Sequence, residues 1–338
     1  MPQGPVSYVM PVLNEEAHVA AAVQSVLRQD VHPFELLLVC GESSDGTDDV
    51  VDAVVKAHPE VRRINNPRNA ISVAMNLGLA EAKYDIVVRV DAHSELPADY
   101  TAKSLRALRE SGAVNVGGRM VAQGTTPFER AVAFAYNTWW GLGGGVYHVG
   151  GEEGEAESAY LGVYEKAAVI GVGGYDEALS RGEDWELNLR LRRSGRIIWF
   201  LPDVVVTYRP RSSVRAVAKQ FHASGRWRGT LIRRDLRATP MRYLAPPALL
   251  VAIVASAVTA VIAGLSSGAS AIVLGVLAAA VPAAYVSVLV AASIANGLDA
   301  PTRLRIPWVL ALIHLAWGYG CLAGMMRTPR RHNQYAGR

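Results

Sequence analysis

The chain has 338 residues, 51% of them hydrophobic, and 34 basic against 30 acidic side chains give a formal net charge of +4. The mean hydropathy of +0.16 is high for a water-soluble enzyme, and the length allows one large domain or two ordinary ones. Two cysteines, Cys40 and Cys321, are too few for a disulfide-rich secreted fold. They indicate a reducing setting without structural disulfides.

Short apolar runs alternate with segments of helical periodicity in the first 100 residues. Strands are expected at residues 6–12, 34–40, 61–64 and 84–90, with helices between them. This alternation predicts an α/β domain built on a mainly parallel sheet with right-handed crossovers.

Polar side chains follow each of these expected strands, at residues 14–16, 41–45, 66–69 and 91–93. Because the carboxyl ends of parallel strands meet at one edge of a sheet, they predict a cleft lined by carboxylates, amides, an imidazole and Arg68. Neither a G-x-G-x-x-G motif nor a Walker A motif occurs, which argues against a dinucleotide or P-loop site.

Asp91 and His93 stand at the end of the fourth expected strand. A carboxylate and an imidazole at this spacing suit a divalent ion, Mg²⁺ or Mn²⁺, and the imidazole favours Mn²⁺. The alternative for the same two residues is a cap and a solvated side chain.

Glu183 and Asp184 begin a predicted helix. Acidic side chains are stabilised at a helix N-terminus, which is a sufficient structural reason for both. A carboxylate in that position can also accept a proton from an acceptor hydroxyl, so the two explanations are compatible.

Three apolar stretches fill the last third of the chain, at about residues 244–264, 270–295 and 307–326. Each approaches or exceeds the ~20 residues that cross a bilayer. Basic residues precede the first stretch, namely Arg209, Arg211, Arg215, Lys219, Arg226, Arg228, Arg233, Arg234, Arg237 and Arg242. They favour a cytoplasmic face and contact with anionic lipid, while a solvated basic helix and a nucleic-acid site are the alternatives.

The expected number of membrane crossings and the positions of the basic residues disagree. No signal peptide is recognised at the N-terminus, so the first 240 residues are expected in the cytoplasm. Three crossings would then place the basic tail, residues 327–338, on the outer side, against the positive-inside rule. Either one stretch is re-entrant or interfacial, or the rule fails.

An aromatic segment at residues 126–149 is predicted to begin a helix with Thr126 as its cap and Pro127 in the first turn. Its Phe, Tyr and Trp side chains suit the headgroup level of a bilayer. A buried core helix or a lid is the alternative.

The order of motifs resembles that of the inverting glycosyltransferases of family 2. The matching stretches are "PVLNEE", "SSDGTDD", "VVRVDAHSELPADY", "NVGG", "GGYDEAL", "GEDWELNLRLRRSG" and "YRPRSSVRAVAKQFHASGRWR", which together cover nearly all of residues 6–230. The likeness is strongest to the membrane-attached branch typified by the succinoglycan-biosynthesis glucosyltransferases. It implies a GT-A nucleotide-diphospho-sugar transferase fold with a mainly parallel sheet, followed by transmembrane helices.

The resemblance assigns roles to positions that match the family's motifs. Asp91 and His93 correspond to its metal-binding Asp-x-Asp, with Asp91 near the ribose or diphosphate, and Asp184 corresponds to its general base. Together with the strand-end argument, this gives a catalytic set of Asp184 and Glu183, a metal pair of Asp91 and His93, and a donor-binding set of Pro11, Glu15, Glu42, Asp45, Asn69, Asp91, Arg226 and Trp227.

One departure from the family concerns the nucleotide base. The acids that usually follow the second strand are replaced by Cys40 and Gly41, so uridine is not implied. Glu42 is the nearby acid that can contact the nucleotide base in their place. Asp45 is expected to cap the following helix.

The expected domains are a catalytic domain at 1–210, a basic juxtamembrane helix at 211–243, a membrane region at 244–326 and a basic tail at 327–338. The expected enzyme is a metal-dependent hexosyltransferase of the inner membrane. It uses a nucleotide-sugar, a polyprenyl-linked acceptor and Mn or Mg, contacts membrane lipids and binds no nucleic acid. The alternatives are a polyprenyl-phosphate sugar synthase and, in another class, an inactive membrane scaffold with the same fold.

Overall fold

The computed structural model of the chain describes residues 4–179, 181–234, 240–294 and 297–326. It consists of two compact units, Met1–Pro210 and Arg211–Arg338. The predicted basic tail and Arg237 lie outside the described residues.

A single mixed sheet organises the described part of the first unit. Its strands are β1 (Val6–Val12), β2 (Phe34–Cys40), β3 (Val61–Asn65), β4 (Ile86–Arg89), β5 (Ser94–Glu95), β6 (Asn115–Ala122), β7 (Gly154–Glu155), β8 (Tyr160–Glu165) and β9 (Ile198–Tyr208). Their spatial order is β3-β2-β1-β4-β8-β6-β9-β5, and β7 pairs with β9.

The predicted parallel core of this sheet is confirmed. β1 runs parallel to β2 and β4, and β2 runs parallel to β3. β8 is antiparallel to β4 and β6, while β6 and β9 are parallel. The strand order turns back between β1 and β4, and ligands bind beyond the strand ends at such a switch point.

Helices cover both faces of the sheet and bury its apolar strands, as parallel sheets require. They are α1 (Val19–Leu27), α2 (Thr47–Ala57), α3 (Ile71–Glu81), α4 (Tyr100–Ser111), α5 (Pro127–Asn137), α6 (Trp139–Leu142), α7 (Val146–Val149), α8 (Lys166–Gly171) and α9 (Glu183–Arg193). β1 and β2 are almost completely buried, so their polar ends project from a rigid centre.

Helix α5 begins as predicted. The Thr126 hydroxyl accepts the Glu129 N–H and the Glu129 carboxylate accepts the Thr126 N–H, which forms a capping box. Tyr136 at the other end is buried, whereas Trp139 in α6 is 72% exposed. The aromatic segment is therefore divided between the protein core and the surface.

The second unit contains α10 (Val214–Arg234), a 3-10 turn (Met241–Leu244), α11 (Ala245–Leu265), α12 (Gly268–Ile294), α13 (Ala300–Arg303) and α14 (Ile306–Met326). Three helices among the described residues are long and apolar enough to cross a membrane, and they contain α11, α12 and α14. The prediction of three long apolar helices is confirmed.

Candidate active site

The loops after β1 and β4 meet at the switch point of the sheet. The His93 Nδ1 atom lies 2.9 Å from a carboxylate oxygen of Glu15. These two predicted residues are 78 positions apart in the chain, and the parallel pairing of β1 with β4 brings them together. The contact confirms that strand ends converge here.

Arg89, the last residue of β4, connects two of the predicted motifs. Its Nε donates to Asp91 Oδ1 at 3.0 Å, and its Nη2 lies 3.2 Å from Glu183 Oε1. The side chains of Arg89 and Glu183 are less than 10% exposed. Sequence reasoning missed Arg89, although a single arginine inside the apolar run "IVVRV" was the signal that could have found it.

Burial and charge act against each other in this cluster. Burial opposes the charge of Arg89, but the carboxylates of Asp91 and Glu183 hold the pKa of its guanidinium well above the usual value. Burial raises the pKa of Glu183, and the Arg89 charge limits that rise. Glu183 therefore lies in the interior, paired with a cation.

Asp184 lies at the second position of α9, directly after Glu183. The helix follows Gly182, whose φ of 71° is in the left-handed region that glycine adopts without strain. Asp184 Oδ1 accepts the N–H of Trp185 at 2.7 Å. Acidic side chains in this first turn are favoured by the helix dipole, as predicted.

A small cavity lies beside Asp184, and Arg89, Asn115 and Asn188 are among its lining residues. Asn115 Nδ2 donates to Asn188 Oδ1 at 2.7 Å, and Asn188 Nδ2 donates to Ser158 Oγ at 2.9 Å. Buried amides that are hydrogen-bonded to one another hold fixed positions. The cavity wall is therefore a preorganised polar surface next to the Asp184 carboxylate.

The ends of β1, β2 and β3 are joined by backbone and amide hydrogen bonds. Asn14 Oδ1 accepts the Ser44 N–H, and Asn69 Oδ1 accepts the Glu42 N–H, each at 2.7 Å. Asn14 and Asn69 both have φ near +55°, a conformation that asparagine tolerates. Glu42 is exposed at this edge and Pro11 is half-buried in β1.

Gly41 and Cys40 occupy positions where the family usually has acids, and the structure gives a separate reason for each. A Cβ on Gly41 would lie 2.7 Å from Asn69 Oδ1, so a side chain there would displace the Asn69 amide. Cys40 belongs to the buried core, where burial raises the pKa of its thiol to about 11. Neither residue presents a polar side chain to the cleft.

Two further strand-end residues have defined partners. Asp45 Oδ1 accepts the N–H of Thr47, the first residue of α2, at 3.1 Å, although the N-cap position itself is held by Gly46 and not by Asp45 as predicted. Arg68 is paired with Glu177, whose other oxygen accepts a hydrogen bond from Asn76. Arg68 is therefore tied to the loop before α9.

The metal pair can be tested against the contacts of its side chains. In a metal-bound histidine the second ring nitrogen usually donates to a carboxylate, and His93 Nδ1 has such a partner in Glu15. No group of three or more His, Cys, Asp or Glu side chains suited to a metal occurs among the described residues. The metal pair of Asp91 and His93 therefore stays a prediction, and an ion held there would need its remaining ligands from substrate oxygens and water.

Arg226 and Trp227 lie in the second unit, on α10. Arg226 is exposed and Trp227 is half-buried. The guanidinium of Arg228 stacks on the Trp227 ring at 4.4 Å and on the Tyr243 ring at 3.9 Å. Arg228 itself is buried, so it does not share the solvent-facing position predicted for the basic cluster.

A family model described as "Glycosyl transferase family 2" matches residues 7–148. The succinoglycan biosynthesis protein ExoA of Rhizobium meliloti is 32% identical over 71% of this chain and 74% of its own length. A Methanococcus voltae dolichyl N-acetyl-α-D-glucosaminyl phosphate 3-β-D-2,3-diacetamido-2,3-dideoxy-β-D-glucuronosyltransferase is 25% identical over 68% of this chain and 74% of its own.

Among solved structures, the mannosyltransferase PcManGT from Pyrobaculum calidifontis, in complex with GDP-Man and Mn²⁺, is similar to this chain. The TM-score is 0.62 at 20% sequence identity, with 94% of this chain and 86% of that chain covered. This likeness confirms the GT-A type of fold that the sequence predicts.

Proposed function

Because this chain belongs to glycosyl transferase family 2, we propose that it moves a hexose from a nucleotide-diphospho-sugar to a polyprenyl-linked saccharide with inversion. The reaction takes place at the cytoplasmic face of the inner membrane. The observation that carries this proposal is the buried connection from Asp91 through Arg89 to Glu183, beside Asp184. It joins the donor end of the sheet to the helix that carries the proposed base.

Asp184 acts as the base in this mechanism. An acceptor hydroxyl attacks the anomeric carbon opposite the leaving diphosphate, and Asp184 takes up its proton. A single in-line displacement inverts the anomeric centre. Glu183 is buried and paired with Arg89, so we assign it a positioning role in place of the catalytic role expected from sequence.

The donor lies along the ends of β1, β2 and β4. Glu15, Glu42, Asp45 and Asn69 surround the nucleoside side of this edge, together with Pro11. Asp91 and His93 would hold a divalent ion there, and such an ion stabilises the charge of a leaving nucleoside diphosphate. The Mn²⁺ in the PcManGT complex supports this part of the proposal.

A lipid-linked acceptor is supported by the second unit and by the relatives. Three helices long and apolar enough to cross a membrane keep the chain at a lipid surface. The Methanococcus voltae relative is named for an acceptor that is a dolichyl-linked sugar phosphate. Arg226 is exposed on α10, and the family resemblance assigns it to the donor-binding set.

The full chain in lipid nanodiscs provides the test. Transfer is measured from UDP-, GDP- and dTDP-sugars to polyprenyl phosphate and to polyprenyl-linked saccharides, with Mn²⁺, with Mg²⁺ and with EDTA. We expect transfer to the sugar-bearing lipid, a β-linked product from an α-linked donor, and loss of activity in EDTA. Transfer to polyprenyl phosphate alone would identify a polyprenyl-phosphate sugar synthase, and no transfer with any donor would identify a scaffold.

Asp184→Asn should lower kcat by about 10²- to 10⁴-fold, because a general base contributes about that much. Asp91→Asn should raise the metal concentration needed for half-maximal rate. Asp203→Asn, which changes an exposed aspartate on β9, is the matched control and should keep full activity. Full activity of the Asp184 variant would rule out the mechanism.

A further inference from the structure

Helices α10 and α14 touch backbone to backbone. Gly225 and Gly229 on α10 and Gly320 and Gly324 on α14 form this contact, which we call the glycine seam. A Cβ added to Gly225 would lie 2.1 Å from the Trp317 carbonyl oxygen, and one on Gly324 would lie 2.1 Å from that of Arg226. Only hydrogen atoms fit such spaces, as in the close Gly-x-x-x-Gly contacts of membrane helices.

The two helices lie side by side and run in the same direction. The His222 carbonyl faces Gly320 and the Arg226 carbonyl faces Gly324, so one step of four residues on α10 matches one step of four on α14. The buried side of α10 continues back to Val217, and that of α14 continues back to Val309. α10 therefore accompanies α14 for much of its length.

The outer side of α10 is cationic. Arg215, Lys219, Arg226 and Arg233 are all exposed. At 3.6 residues per turn they fall within an arc of about 40°, on a side of α10 that is turned away from most of its buried residues. Charged side chains are strongly disfavoured in hydrocarbon, so a helix with this face lies in water or among headgroups. A neighbour that it accompanies lies at the same depth.

The outer side of α14 is apolar and aromatic. Trp308, Tyr319 and Met326 are exposed along one face of the helix. Trp and Tyr are the side chains that prefer the membrane–water interface. In α14, 39% of the residues in the most apolar stretch are buried, against 6% for α11 and 11% for α12. α14 therefore has one protein-facing side and one lipid-facing side.

The described contacts between α14 and the α11–α12 hairpin lie near one end of that hairpin. Gly318 adjoins Pro246 in the first turn of α11, and the His314 ring lies 2.9 Å from the Tyr285 hydroxyl of α12. The far half of the hairpin exposes apolar side chains on both helices, among them Val258, Ile262, Val273 and Leu277. That half extends away from the end that α14 contacts.

We propose that α14 lies in the plane of the membrane surface, with its apolar face in the lipid and α10 on its water side, and that only α11 and α12 cross. The occupant of the apolar face is the boundary between acyl chains and anionic headgroups. Two crossings return the chain to the side from which it entered. The basic residues on both flanks of α14, Arg303, Arg305, Arg327, Arg330 and Arg331, then share the side of α10, as the positive-inside rule requires.

Side-specific labelling of the full chain tests this topology. Single cysteines are introduced as Gln3→Cys, Ser267→Cys, Gly297→Cys and Gly337→Cys, and sealed vesicles are treated with a membrane-impermeant maleimide before and after permeabilisation. The unsubstituted chain is the baseline, because Cys40 and Cys321 are buried. Protease protection of tags fused at the two chain ends is the second measurement and needs no internal substitution.

Labelling of positions 3, 297 and 337 from one side and of position 267 from the other is the expected result. Position 337 on the side of position 267 would show that α14 crosses and would overturn the proposal. All four positions on one side would overturn it as well, because the hairpin would then not cross. Both readouts are independent of sugar transfer, so they stand whether or not the proposed reaction is found.

Discussion

Arg89 shows how one buried cation can connect two distant motifs. It bonds the Asp91 carboxylate through Nε and the Glu183 carboxylate through Nη2, while both acids flank the proposed reaction site. A guanidinium has donors in a fixed fork, whereas a lysine ammonium is a single point of charge. Arg89 therefore sets the separation between the end of β4 and the start of α9.

Removing this cation should damage both stability and catalysis. Arg89→Met leaves the buried Glu183 carboxylate and the partly buried Asp91 carboxylate without their partner. The cost is about 3–5 kcal/mol in the free energy of unfolding. The pKa of Glu183, already raised, rises further in the variant. A raised carboxyl pKa gives stability that is present at low pH and lost as the pH rises, so the variant should regain stability as the pH falls toward the carboxyl pKa of the unfolded chain, about 4.3.

Thermal unfolding at several pH values measures the stability effect. The double variant Arg89→Met/Glu183→Gln is the matched control, because it removes the unpaired buried charge at Glu183. We expect it to recover stability while kcat stays at least tenfold low, and Arg89→Lys to be intermediate. Recovery of activity together with stability would mean that Arg89 only supports the fold.

His148 gives a second prediction at this scale. Its ring is buried beside Tyr136 and Tyr147, and burial lowers the pKa of the imidazole to about 3. A depressed histidine pKa gives stability that is present above about pH 6.5 and lost as the pH falls. Lowering the pH from 7.5 to 5 should cost about 2 kcal/mol through this residue.

The His148→Phe variant cannot take up that proton. Its loss of stability between pH 7.5 and pH 5 should therefore be smaller than that of the unsubstituted chain, as followed by thermal unfolding in detergent. His58→Phe, at a partly exposed position, serves as the substitution control. Equal losses in all three proteins would contradict the depressed pKa of His148.

At the scale of elements, the glycine seam predicts that a larger side chain will force α10 and α14 apart. Gly225→Leu places a side-chain carbon 2.1 Å from the Trp317 carbonyl oxygen, so α10 and α14 must separate. We expect a loss of about 3 kcal/mol, at the upper end of overpacking costs. Thermal unfolding in lipid or detergent measures it.

Gly275→Leu in α12 is the matched control, since no atom lies within 4 Å of an added Cβ there. That substitution should be neutral or slightly stabilising, because leucine is a better helix former than glycine by about 0.8–1 kcal/mol. If the two leucine variants behave alike, the close approach of α10 and α14 is not present in the protein.

Several elements could be predicted from sequence because their signals are local. The β1 and β2 strands are continuous apolar runs, and the Thr126 cap of α5 is encoded within four residues. The antiparallel insertion of β8 between β4 and β6 could not be predicted, since it depends on pairing over distances that leave no local pattern. For this part of the sheet, the prediction of the fold depends on the family resemblance.

The candidate site divides in the same way. Strand-end residues such as Glu15 and His93 were predictable, because parallel topology alone brings strand ends together. Arg89 and the Asn115–Asn188 pair were not, because their roles depend on which side chains surround them in the folded chain. The catalytic assignment of Glu183 stays a prediction: the sequence shows its position at the start of a helix, and the structure adds that it is buried.

At the scale of the whole molecule, exposed apolar side chains of the two units are expected to face different solvents, water for the first unit and lipid for the second. Val258 in α11 is 54% exposed and Val205 in β9 is 40% exposed, and we expect the first to face lipid and the second to face water. Val258→Arg should cost about 2.5–3.5 kcal/mol of insertion free energy, whereas Val205→Arg should cost almost nothing. The fraction that resists alkaline extraction from membranes measures the difference, and equal fractions would contradict a lipid-facing α11.

The glycine seam also determines how this chain can be recombined with its relatives. The Arg226–Trp227 motif lies in the basic helix that follows the catalytic domain, and this helix fits α14 through backbone contact. A chimera that exchanges membrane regions after residue 234 would pair α10 with a foreign helix. A junction at Pro210 and Arg211 would transfer α10 and α14 together. The segment to exchange between relatives is therefore the one that contains both helices, and not the apolar segment alone.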